Sequence, residues 1–139
     1  MVPSEWRQFT TNPEAIASAF GEADPSLNDV RLTKAELSED GPTLNLSLAL
    51  NDYPANPPSR WKREANNAVS IQLQCMDLIG LTLSRLSGDS RVTCEISKGE
   101  CVPLQISIKG AATEALVQCS FIRINHVTPY LKDCSLGAI

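Results

Sequence analysis

A chain of 139 residues, 42% of them hydrophobic and 20% charged, has the make-up of one globular unit that hides roughly 68–70% of the surface its unfolded form would expose. No stretch approaches the ~18 consecutive apolar residues of a membrane span. A net charge of −4 disfavours nucleic acid and anionic lipid, which are held by clusters of Lys and Arg, and favours a basic protein partner instead.

The start, MVPSEWRQFTTNPEAI, has an early Glu and neither a basic nor an apolar leader, so the expectation is a cytoplasmic protein with one domain over residues 1–139. After Trp6, the segment NPEAIASAFG offers Asn12 as N-cap, Pro13 at the first helical position, Glu14 in the first turn and Gly21 as a stop. Ile16, Ala19 and Phe20 then fall on one face of a short helix. DPSLND is a loop, and VRLTKAEL is a first strand with Val30, Leu32 and Leu37 as inward candidates, closed by the turn signal SEDGP.

From there the alternation is clear. In TLNLSLALN, Leu44, Leu46, Leu48 and Leu50 share one face; in AVSIQLQC the inward set is Val69, Ile71, Leu73 and Cys75. LIGLTLSRL offers Ile79, Leu81 and Leu83, with a tight hairpin expected at Met76-Asp77. RVTCEI offers Val92, Cys94 and Ile96, and CVPLQISIKG offers Val102, Leu104, Ile106 and Ile108, with Pro103 on the outward phase. The last segment, TEALVQCSFIRINHV, changes phase between Val117-Cys119-Phe121 and Ile122-Ile124, which calls for a bulge or for burial on both faces.

The pattern is therefore α+β, mostly β: a single curved antiparallel meander sheet of about seven strands with the N-terminal helix packed against it. A β-sandwich is the alternative. Leu46, Leu48, Ile71, Leu73, Leu81, Val92, Ile106 and Phe121 are expected in the core.

No catalytic constellation is recognisable. His126 is the single histidine, with no marked nucleophile beside it, and there is no HExxH, CxxC or DxDxDG for a metal and no glycine-rich phosphate loop. The carboxylates of GEADPSLND and SEDG sit in turn-forming segments, where solvating a loop is their ordinary task. Five cysteines without paired spacing suit a reduced protein, with Cys75, Cys94 and Cys119 in phase with apolar neighbours. No catalytic, metal-binding or cofactor-binding residue is assigned, and the oligomeric state is left open.

The connector NDYPANPPSRW is longer and more aromatic than a hairpin needs. Trp61 and Tyr53 suit the closing of one end of the sheet, with the prolines fixing an extended crossover, while Tyr53 and Arg60 equally suit an exposed contact patch. Trp6, the pair Phe20-Gly21 and the element PP-x-x-W (Pro57, Pro58, Trp61), followed by N-x-V-x-I-x-L (Asn67, Val69, Ile71, Leu73), resemble the immunity protein 50 family from Trp6 to about Ile124. The resemblance implies a non-catalytic protein that binds and neutralises a cognate toxin domain in a bacterial polymorphic toxin system. It marks Trp6, Phe20, Gly21, Pro57, Pro58 and Trp61 as family features and assigns no toxin contact. The residues themselves suggest two contact surfaces: the acidic turn at Glu39 and Asp40, and the connector at Asp52, Tyr53 and Arg60. A small-ligand-binding β-barrel-like module is the alternative function, and an enzyme built on loop carboxylates is a third.

Overall fold

The computed structural model describes residues 6–21, 24–54, 57–64, 66–85 and 91–131. A short 3-10 turn, Trp6–Phe9, precedes helix α1 (Glu14–Phe20). The strands are β1 (Val30–Ser38), β2 (Thr43–Ala49), β3 (Ala68–Arg85), β4 (Arg91–Ser97), β5 (Leu104–Gly110) and β6 (Glu114–Tyr130), with a second short helix, α2 (Ser59–Arg63), between β2 and β3. All strand pairs are antiparallel, and the sheet closes on itself in the order β1-β2-β3-β6-β5-β4.

The mostly-β reading with a curved antiparallel sheet and a helix packed on it therefore holds, with six strands among the described residues. Two features differ from the expected meander. The chain runs β1-β2-β3 and β4-β5-β6 as separate meanders, and the long β3 pairs with β6 rather than with β4. Second, Met76-Asp77 is not a hairpin: β3 passes straight through, with Asp77 at φ 53°. The register to β6 does not slip there, running from Met76↔Phe121 to Leu78↔Cys119, and Asp77 accepts a hydrogen bond from the Ser120 hydroxyl on β6 at 2.6 Å.

At that same level the buried set of β6 switches from Ile122 and Ile124 to Val117 and Cys119, which meets the expected change of phase. Phe121 pairs with Met76 and is 53% exposed, so it leaves the expected core. Leu81 leaves it too, at 41% exposure, whereas Leu46, Leu48, Ile71, Leu73, Val92 and Ile106 are buried. Strand β5 begins at Leu104, one residue after Pro103, because a residue without an N–H cannot serve the ladder.

The barrel interior is filled by large aliphatic side chains from all six strands, joined by Trp6, Ile16 and Leu27 from the N-terminal segment. That segment is tied to β6. Thr10 bridges in parallel to Ile122, and the Thr11 N–H donates to the Ile122 carbonyl at 2.8 Å. Asn12 is not an N-cap. Its side-chain amide donates to the Ile124 carbonyl at 2.7 Å and accepts from the Ile124 N–H at 2.8 Å, the double exchange of a β-ladder made by a side chain. Trp6 is buried and its indole N–H donates to the Pro25 carbonyl at 2.8 Å.

Candidate partner-binding surfaces

The connector between β2 and β3 is built inward from Trp61. Pro58 holds φ −53° and ψ 148°, an extended conformation, and its carbonyl then accepts from the Trp61 N–H at 2.9 Å to open the single turn of α2. The crossover is thus helical over Ser59–Arg63 rather than extended throughout. Trp61 is 5% exposed, and Tyr53 lies against it with ring centroids 6.1 Å apart at 43°. Arg60 stays exposed at the rim of an open cleft of about 470 Å³, shared with Ser18, Ala19, Pro58 and Val127. Asp52 is engaged: its carboxylate accepts from the Ser26 N–H at 2.6 Å.

Of the remaining motif residues, Phe20 is half-buried, and Gly21 takes φ 69° in open space, so the backbone angle and not crowding calls for glycine. The Gly21 carbonyl accepts from Arg7, whose guanidinium also forms an ion pair with Asp24. The acidic stretch around Asp24 and Asp29 is likewise spent on structure, since Asp29 accepts from Asn51 and Arg91.

The turn at Glu39 and Asp40 has a different character. Both residues are exposed, and among the described residues their carboxylates carry no ion pair or hydrogen bond. The turn is shaped by Gly41 at φ 87° and by backbone and hydroxyl bonds of Ser38, Asp40 and Thr43. Next to it the wall of the barrel is incomplete. Strand β1 meets β4 at only two positions, Val30↔Val92 and Arg31↔Arg91, so its edge from Thr33 to Ser38 is unpaired on that side among the described residues. Strand β3 meets β2 as far as Thr43↔Met76, followed by one bond from the Leu78 N–H to the Pro42 carbonyl at 3.0 Å. Beyond Leu78 it is paired, among the described residues, with β6 alone.

The two free edges bound a single gap. Among the described residues its border follows β1 from Thr33 to Ser38, crosses the turn to Pro42 and Leu78, and continues along Ile79–Arg85. Leu81 and Leu83 stand opposite Val117 and Ala115 on the inward phase of β6, and Leu37 stands opposite the buried Leu44. Yet Leu37, Ile79 and Leu83 are 60%, 51% and 56% exposed, because no strand among the described residues closes the wall over them. Sequence reading placed these residues on the inward phase, and Leu81 in the core. The signal that separates them is length: β3 has 18 residues and its neighbour β2 has 7, so the excess cannot be flanked on both sides.

Side-chain chemistry elsewhere is quiet. His126 is exposed on β6 opposite Gln72, and among the described residues no group of three His, Cys, Asp or Glu is placed to hold a metal. Cys75, Cys94 and Cys119 are buried free thiols and Cys101 is an exposed one; Cys134 lies outside the described residues. Burial pushes the Cys94 thiol up to about 12, and a thiol hydrogen bond with Cys119, followed by burial, pushes Cys75 higher still. Cys75 and Cys94 thus stay protonated and pack among apolar neighbours. No helix among the described residues is long and apolar enough to cross a membrane.

Comparison with known protein families gives a match. The model of the family described as immunity protein 50 covers residues 12–130, beginning at Asn12 and ending at Tyr130, the last residue of β6. Phe20, Gly21, Pro57, Pro58 and Trp61 lie inside the matched stretch, and Trp6 precedes it. No curated protein and no solved structure matches the chain. With most of its length matched, the chain belongs to the immunity protein 50 family.

Proposed function

We propose that the chain is a non-catalytic immunity protein that binds and neutralises a cognate bacterial toxin domain in the cytoplasm of the producing cell. The family match over residues 12–130 carries this reading. Two physical features support it. An acidic chain carrying the unpaired carboxylates Glu39 and Asp40 suits capture of a basic partner, since complementary charge raises association rates. The exposed apolar residues beside that turn, Leu37, Ile79, Leu81 and Leu83, supply the surface that tight protein binding needs. The ligand-carrier reading is weaker, because the barrel interior is occupied by Leu46, Leu48, Ile71, Leu73, Ile106 and Ile108 packed against one another.

The test is to mix the purified chain with the toxin domain encoded beside its gene. A stable stoichiometric complex with the toxin's activity abolished is the expected result. Undiminished toxin activity at saturating amounts of this chain refutes the reading.

A further inference from the structure

The gap in the barrel wall has the properties of a site for an added strand. One side is the free edge of Ile79–Arg85, a row of backbone donors and acceptors facing no partner among the described residues. The floor is apolar and exposed at Leu37, Leu81 and Leu83. A bare edge of this kind is a template for pairing, and proteins ordinarily blunt such edges with charge, proline or a covering element. Over Ile79–Ser84 the sequence IGLTLS has neither proline nor charge. At the far end Arg85 is neutralised by Glu114 at 3.2 Å, and at the near end the unpaired Glu39 and Asp40 flank the entry.

Resting on the immunity reading above, we propose that this gap is where the toxin docks: an extended segment of the toxin domain adds to β3 along Ile79–Arg85, seats alternate apolar side chains on Leu37, Leu81 and Leu83, and places basic side chains beside Glu39 and Asp40. Backbone pairing supplies the strand's affinity and the alternate pockets its selectivity. The charges choose the occupant. A basic toxin strand neutralises Glu39 and Asp40, whereas a second copy paired antiparallel along the same edge sets its own acidic turn at the opposite end and offers them only Arg85, which Glu114 already neutralises.

The experiment uses the toxin domain encoded beside this gene, inactivated in its catalytic centre, and measures its affinity for the intact chain and for Leu37→Asp, Leu81→Asp and Leu83→Asp, each checked for an unchanged fold by thermal melting. Leu131→Asp, beyond the opposite end of β3 and 64% exposed, is the control. The gap variants are expected to weaken binding about tenfold or more, chiefly through faster dissociation, while the control stays within about twofold. Hydrogen exchange of the complex is expected to slow at amides within Ile79–Arg85. If the parent chain binds but all three gap variants bind equally well and protection appears elsewhere, the docking proposal is overturned while the immunity reading stands. Failure of the parent chain to bind at all refutes the immunity reading itself. Dimers of the chain alone, with the same amides protected, assign the gap to a second copy and overturn the proposal.

Discussion

Asn12 and Ile124 lie 112 residues apart in sequence and exchange two hydrogen bonds, with the Asn12 amide taking the place of a neighbouring strand's peptide group. Ile124 is buried, so its N–H and carbonyl have no water to fall back on. The contact fixes the chain immediately before α1 on β6, and with it the position at which Ile16 enters the core.

Asn12→Ala is therefore expected to destabilise by about 2–3 kcal/mol, since both backbone groups of Ile124 lose their partner. Asn12→Asp is expected to be no better at neutral pH, because a carboxylate accepts from the N–H but turns a second acceptor toward the carbonyl. Urea unfolding of the two variants checks this; equal stability of Asn12→Ala and the parent chain would remove the clamp from the account.

Trp61→Ala is expected to cost about 3–5 kcal/mol of stability, the range for a buried large aromatic, and to loosen Tyr53 with it. Tyr53→Ala leaves Trp61 in place and is expected to cost less. The comparison separates support of the connector from any role in contact: if Trp61→Ala melts like the parent chain, the connector is not held by its tryptophan.

Much of this architecture is legible in the residues, and what is not has a common cause. Strands such as β2, with Leu44, Leu46 and Leu48 inward, need only a local period of two, and that period is written in each segment. Met76-Asp77 reads as a hairpin because a left-handed Asp commonly marks a turn, and only the unbroken pairing of β3 with β6 on both sides of it shows one continuous strand. Leu81 and Leu83 have the inward period without the burial, since burial depends on a wall that the described residues leave incomplete over them. The bond between Asn12 and Ile124 has no local signature at all. Of the contact surfaces, the acidic turn is visible as SEDG, whereas the apolar gap beside it appears only once the sheet is closed.

The thiols give a prediction in pH. Cys94 keeps its proton up to about 12, whereas in the unfolded chain it loses it near 9.0. Below the lower value both states hold the proton and nothing changes. Above it the unfolded chain alone ionises, so stability falls as pH rises between about 9 and 12. Cys94→Ala is expected to be less stable at neutral pH through lost packing but to show a shallower decline across that window. Under native conditions at neutral pH, iodoacetamide is expected to modify Cys101 before Cys75, Cys94 or Cys119, because the last three are buried. Mass spectrometry of the labelled chain reads the order.

Replacing Glu39 and Asp40 by Lys removes charges that no described residue neutralises, so folding is expected to be unchanged. Association with the toxin domain is expected to slow by about tenfold or more at low salt, and its salt dependence to flatten, because steering charges act on encounter. Stopped-flow mixing at several ionic strengths measures both, and an unchanged association rate would remove the acidic turn from the encounter.

The central claim is protection, and survival on co-expression tests it most directly. Cells producing the toxin domain encoded beside this gene are expected to die when it is expressed alone and to grow when this chain is produced with it. Equal killing in both cases, with this chain folded and abundant in the cells, would contradict the account.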